Sequence, residues 1–237
     1  GSEMCIRDSP RDHSLEEIRE IAEGLAWAGR EYSFPFLGGD TNKAEDLVIT
    51  CCGLGRKRQL IPSRAGAKPG DLVATTGLYG LHPLGLHLLK AGVTPRSDVE
   101  RAALEAFLRP VARVEEGNIA VSSGAVTSSI DSSDGLLQSL YELAENSRVK
   151  IVVEEIPLHP GVKEAAGRYG LNPETLALEG GEEYELIFTV ERDKYPLLEE
   201  RFSKAGKRLY KIGRVEEGEG VYLEAVSYTH LTLPTKA

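Results

Sequence analysis

The sequence predicts an α+β layer fold, and three observations lead there. Strand-like and helix-like segments alternate irregularly, which disfavours a doubly wound sheet. With 237 residues, 41% of them apolar and 27% charged, the chain can bury one large core or two smaller ones. Residues 56–71 turn rich in Arg, Lys, Pro and Gly, a composition shift that places a domain boundary near Gln59. Residues 1–13 and 227–237 show no amphipathic period; they read as a non-native leader and tail and stand outside the fold prediction.

The elements follow from local chemistry. Ser14 and Glu17 have capping-box spacing, and Leu15, Ile18, Ile21, Ala22, Leu25 and Ala28 then recur at helical intervals toward Tyr32. Apolar residues 34–37 run into a predicted Gly38-Gly39-Asp40-Thr41-Asn42 turn, and residues 46–53 read as a buried strand that packs Cys51 and Cys52. Beyond the boundary, 72–76 is a strand, followed by helices over 83–91, 99–107 and 114–122, with Gly92 and Pro110 ending the first two. Strand 126–130 enters Asp131-Ser132-Ser133-Asp134-Gly135. Leu136, Leu137, Leu140, Tyr141 and Leu143 then stripe a helix reaching Glu145. Strands are predicted at 150–153, 184–190, 208–212 and 221–223, with helices at 162–169 and 193–205.

Charge and motif content exclude several function classes. The 28 basic against 37 acidic residues give a net charge of −9, which disfavours broad adhesion to nucleic acid or anionic membrane. Mean hydropathy is −0.24, and no apolar run approaches the roughly 20 residues of a membrane helix. Three cysteines make neither a disulfide framework nor a CxxC pair, so a reducing cytoplasm is the expected setting. The five histidines lack HExxH spacing, and there is no P-loop, GxGxxG or GxSxG pattern.

What remains are acidic and glycine-rich segments. Asp131 and Asp134 flank two serines at a strand-to-helix turn. They suit either an N-cap and a first-turn carboxylate facing the helix dipole, or a Mg²⁺ site that completes its shell with phosphate oxygens. Gly38-Gly39-Asp40-Thr41 has the same character, and taken alone reads as a turn. Gly180-Gly181 precedes Glu182-Glu183-Tyr184-Glu185. Strand alternation there would set Glu183 and Glu185 opposite Tyr184, Leu186 and Phe188, with Glu182 at the entrance, while surface solvation explains the acids equally well. Arg64 and Lys68 are either linker charges or a phosphate clamp, for which the Arg64 fork is better suited.

In order, LGGDTN, SRAGAKPGDLVATTG, SIDSSDGLLQSLYELAE and LEGGEEYELIFTV resemble the thiamine-monophosphate kinase family. Its superfamily includes aminoimidazole-ribonucleotide synthetase, selenophosphate synthetase and hydrogenase maturation proteins. The resemblance covers about Ser14 to Leu223. It implies the end of an amino-terminal α/β ATP-binding domain over 14–58, followed over 59–226 by a carboxy-terminal α+β layer domain of the aminoimidazole-ribonucleotide-synthetase type. It implies transfer of the ATP γ-phosphoryl group to thiamine monophosphate, with Mg²⁺ as cofactor and ATP as co-substrate, and a homodimer for the full-length protein.

By the same resemblance Asp40, Asp131 and Asp134 are Mg²⁺ ligands; Gly39, Asp40, Arg64 and Ser133 meet ATP; and Glu182 meets the thiamine substrate. No residue is implied as a covalent catalyst. The family's GDDAA-like acidic segment does not occur, nor does its substrate-stacking aromatic near the carboxyl end, and Glu183 replaces the usual Asp of GGEDYEL. The expectation is a fragment with little activity by itself. The alternatives are a selenophosphate-synthetase-like or hydrogenase-maturation-like enzyme, or a non-catalytic domain that binds nucleotide or dimerises.

Overall fold

The structure, a computed structural model, describes residues 2–9, 14–56, 61–224 and 228–230, which fall into two compact units, Gly1–Arg58 and Gln59–Ala237. In the first unit, β1 (Ser2–Ser9), β2 (Phe36–Lys43) and β3 (Val48–Leu54) form a sheet in the order β2-β1-β3, accompanied by α1 (Leu15–Glu31). The capping box forms as its spacing predicts: the Ser14 hydroxyl accepts from the Glu17 N–H, and Glu17 accepts from the Ser14 N–H at 2.7 Å.

The structure adds one strand to this unit and corrects two expectations. Residues 2–9, set aside in the sequence prediction, form the central strand, parallel to β2 and antiparallel to β3. Residues 38–42 are no turn but lie within β2, where Gly39 pairs with Cys5 and Asp40 with Ile6. Pairing with a neighbouring strand overrides local turn propensity there. Finally, β3 is exposed along its length, so Cys51 and Cys52 are exposed free thiols rather than packed core. No residue of α1 is buried either, because one helix and three strands contain too little chain to enclose a core.

The second unit is built on a seven-stranded sheet in the order β10-β9-β6-β8-β4-β7-β5. Its strands are β4 (Leu72–Thr75), β5 (Val126–Asp131), β6 (Lys150–Val153), β7 (Leu186–Val190), β8 (Tyr210–Glu216), β9 (Gly220–Glu224) and β10 (Tyr228–His230). All neighbours are antiparallel except β6 and β9. Its helices are α2 (Leu81–Lys90), α3 (Asp98–Leu108), α4 (Val114–Ser123), α5 (Leu136–Ser147), α6 (Val162–Arg168), α7 (Pro173–Glu179) and α8 (Tyr195–Lys204). This is the α+β layer architecture that irregular alternation predicts.

Alternation along the strands divides the core. Val73 of β4 and Ile187 of β7 turn toward α5, where Leu136, Leu140 and Leu143 are fully buried. Leu72, Ala74, Phe188 and Val190 turn the other way, against Ala120 of α4 and Leu198 and Phe202 of α8. A third cluster joins α2, α3 and α6 through Leu84, Leu88, Ala103 and Val162. The seven-residue α7 is too short to show a period, although Asn172 caps it by accepting from the Glu174 and Thr175 N–H groups and Pro173 opens it. The strand predicted from 184 begins at Leu186, since Tyr184 has a φ of 53° that no strand residue adopts.

Two stability outcomes follow. A Cβ at Gly85 of α2 would lie 2.1 Å from the Ala103 carbonyl oxygen of α3. Gly85→Ala must therefore push the two helices apart, with an expected loss of about 1–3 kcal/mol in urea unfolding.

Glu100 is buried at the start of α3, where its carboxylate accepts from the Arg96 N–H at 2.6 Å, the Ser97 N–H at 3.1 Å and the Tyr169 hydroxyl at 2.8 Å. The Arg96 bond is the main cause that holds the Glu100 carboxyl below its ordinary value of 4.5, outweighing burial with help from Tyr169, Ser97 and Arg168. A depressed folded value contributes stability above that ordinary value and loses it as pH falls through the lower folded one. Glu100→Gln is expected to lower the unfolding midpoint at neutral pH and to flatten its fall below about pH 5.

Candidate functional site

The carboxyl end of β5 and the segment entering β7 are adjacent, and their pairing brings two of the sequence motifs into direct contact. Ser132 and Glu185 are joined through the backbone, the Ser132 N–H donating to the Glu185 carbonyl at 2.9 Å, and again where the Glu185 N–H donates to the Ser132 hydroxyl at 3.0 Å. One step outward, the Glu182 N–H donates to the Ser133 carbonyl at 2.8 Å. Gly181 permits this approach, because a Cβ there would stand 2.7 Å from the Ser133 oxygen.

On the turn, Asp131 is half-buried at the end of β5, Ser133 is half-buried and Asp134 is exposed. The Ser133 N–H points toward the Asp131 carboxylate at 3.4 Å, and the Ser139 hydroxyl holds the Asp131 carbonyl at 2.8 Å. Neither aspartate caps α5, as the helix-cap alternative would require: the N-cap is Gly135, with a φ of 101° and no side-chain cap. The turn thus presents carboxylate oxygens that the helix does not use.

The facing segment alternates. Glu182 is exposed and Tyr184 half-buried, and both have left-handed backbone, with φ of 66° and 53°. The Tyr184 hydroxyl donates to Glu182 at 2.7 Å; this bond is the main cause that raises the Tyr184 phenol, with burial and the charges of Glu182 and Asp131 adding to it. Glu183 and Glu185 are buried, which overturns the surface-solvation reading for these two acids. Glu183 accepts from the Gly80 N–H at 2.5 Å and meets His82 Nδ1 at 2.7 Å. Glu185 accepts from the Thr76 hydroxyl at 2.6 Å and from Arg113 Nε and Nη2 at 2.8 and 2.5 Å. Burial opposes the charge of Arg113, but its bonds to Glu185 and the nearby Glu116 raise its proton affinity regardless. Arg113, Thr76 and His82 carried no local sequence signal, because their partners lie 72 to 109 residues away.

Arg64 lies along the outer edge of β5, where the Ser129 N–H donates to the Ser63 carbonyl at 3.0 Å. Its guanidinium is exposed and pairs with Glu142 of α5 at 2.6 Å. In the amino-terminal unit, Gly39 and Asp40 line a groove of about 610 Å³ between α1 and β2. Asp40 there accepts from the Thr41 N–H at 2.8 Å and the Asn42 amide at 3.3 Å.

A family model described as "AIR synthase related protein, C-terminal domain" matches residues 68–226. The thiamine-monophosphate kinase of Pyrococcus abyssi is 40% identical over 217 residues, 91% of this chain and 64% of that protein. The one from Nitrosopumilus maritimus is 32% identical over 91% of this chain and 67% of that protein. The chain belongs to the AIR-synthase-related family, among its thiamine-monophosphate kinases.

Solved structures superpose closely on the chain. AaThiL complexed with AMPPCP and TMP aligns with a TM-score of 0.83 at 31% identity, covering 93% of this chain and 69% of that one. HypE of E. coli, a hydrogenase maturation protein, aligns with a TM-score of 0.80 at 20% identity, which shows a shared fold. The chain spans 64% of the length of the Pyrococcus relatives it matches. Among the described residues, no helix is long and apolar enough to cross a membrane.

The contact between the two motifs is itself testable. Gly181→Ala places a methyl group against the Ser133 carbonyl and is expected to break the Glu182–Ser133 bond. The amide of Glu182 should then exchange with solvent faster than in the parent chain, while the amides of β6 keep their protection.

Proposed function

We propose that the protein transfers the γ-phosphoryl group of ATP to the phosphate of thiamine monophosphate, yielding thiamine diphosphate and ADP. The observation that carries this reading is the direct packing of the Asp131–Asp134 turn against the Glu182 segment, in a chain whose family relatives bear that kinase name. A phosphate oxygen of the acceptor attacks the γ-phosphorus, the bond to the β–γ bridging oxygen breaks, and ADP leaves with the electron pair. Such a reaction asks for positioning and charge neutralisation rather than a covalent catalyst.

The donor set suits Mg²⁺. It consists of carboxylate oxygens on one turn, of the kind that gives Mg²⁺ one or two ligands and leaves water and phosphate to fill its shell. Among the described residues no group of three or more His, Cys, Asp or Glu is placed to hold a metal ion. Asp131 and Asp134 are assigned as Mg²⁺ ligands, and so is Asp40 of the amino-terminal unit. When bound, Mg²⁺ supplies the positive charge that lets two phosphate-bearing anions approach in an acidic protein.

The remaining assignments concern substrate. Ser133 and Gly39 meet the nucleotide, and Glu182, its carboxylate oriented by Tyr184, meets the cationic part of thiamine. Arg64 meets the ATP phosphates. Its present partner Glu142 is an exposed pairing worth at most about 1 kcal/mol, so exchanging that carboxylate for phosphate costs little. The full-length protein is read as a homodimer, and its setting as the cytoplasm, consistent with the exposed thiols of Cys51 and Cys52.

Calorimetric titration of this chain with AMPPCP in Mg²⁺ checks the reading. Saturable, Mg²⁺-dependent binding is expected, weakened about tenfold or more by the double variant Asp131→Asn, Asp134→Asn. Binding indifferent to that variant would remove the metal-phosphate role of the turn.

A further inference from the structure

Glu185 lies at the crossing of several of the bonds that fix the two motif loops. Its backbone joins Ser132 in both directions, and its carboxylate reaches Thr76 at the end of β4 and Arg113 at the start of α4. Thr76 reinforces the crossing: its N–H donates to the Leu186 carbonyl at 3.0 Å, and its hydroxyl oxygen accepts from the Leu186 N–H at 2.8 Å. Gly77 leaves room for the carboxylate, since a Cβ there would fall 2.2 Å from Glu185 Oε1. Glu185 is buried and its carboxylate is taken up by Thr76 and Arg113, whereas Asp134 and Glu182 are exposed. The Glu185–Arg113 pair therefore acts on the loops.

We propose that Glu185 and Arg113 are a positioning pair whose buried two-point contact sets the spacing between the Asp131–Asp134 turn and Glu182. Two features require such an anchor. Glu182 and Tyr184 hold left-handed backbone that non-glycine residues keep only when their surroundings impose it. The turn also bears exposed and half-buried carboxylates beside Glu182, whose mutual repulsion favours separation of the loops. Arg113 meets both oxygens of Glu185 through Nε and Nη2, a fork that fixes direction as well as charge. Lysine in its place would keep the charge and lose the direction. Glu183, held by Gly80 and His82, secures the same segment from the other side of Tyr184.

This inference deepens the proposed function and rests on it only for the role of the spacing in ligand binding. The test uses the present chain with Glu185→Gln and, as the milder change, Arg113→Lys. Amide hydrogen exchange without ligand is expected to rise about tenfold or more at 132–135 and 180–185 in both variants, while β6 and α5 stay protected. AMPPCP in Mg²⁺ is expected to bind about tenfold more weakly to both. A charge-only role predicts that lysine restores parental exchange and affinity. That rescue would overturn the proposal, as would unchanged exchange in the two loops or a uniform rise throughout the unit. Failure of the parent chain to bind AMPPCP would count against the proposed function, leaving exchange to decide the positioning claim.

Discussion

The double junction of Ser132 with Glu185 is the constraint on which the site depends. Strand pairing between β5 and β7 leads the two chains out of the sheet side by side, and the junction extends that pairing past its last ladder bond. Everything beyond it inherits a fixed separation: Asp131 and Ser133 on one side, Glu182 and Tyr184 on the other. A buried carboxylate at Glu185 is tolerated because Arg113 and Thr76 satisfy its oxygens, and an unpaired charge at that depth would be far costlier than any surface contact.

Burial separates the acids of this region into two kinds of work. Glu183 and Glu185 turn inward and serve as acceptors for backbone, hydroxyl, imidazole and guanidinium groups. Asp131, Asp134 and Glu182 stay at or near the surface, and the Glu182 hydrogen bond, followed by burial and the charges of Glu182 and Asp131, raises the Tyr184 phenol. The inward pair is held by those partners, and the outward three remain wholly or partly exposed to solvent. A chain with a net charge of −9 can thus offer a phosphate-compatible site if the outward carboxylates hold a divalent ion.

Much of the carboxy-terminal unit was legible because its elements carry strong local signals. The stripe of Leu136, Leu140 and Leu143 placed α5, the β-branched run placed β5, and Lys150–Val153 was predicted with the bounds it has. The amino-terminal unit was less legible. Gly38-Gly39-Asp40 has every mark of a turn, yet cross-strand pairing holds it extended in β2, and the apolar run around Cys51 and Cys52 is exposed along β3. Tyr184 looked like a strand residue from its alternation with Leu186, whereas its backbone is left-handed because its neighbours Glu183 and Glu185 are pinned from within.

The sequence by itself determined the family, since carboxylates, serines and glycines are written in short consecutive runs whose order identifies it, and the same runs name the candidate groups. Only the tertiary structure decided which of those acids are structural. Glu182, Glu183 and Glu185 are indistinguishable by type and nearly so by position, and what separates them is contact with Gly80, His82, Thr76 and Arg113. Those partners are remote along the chain, and the role of an ionisable side chain depends on the solvent and charges that folding places around it, which no local pattern records.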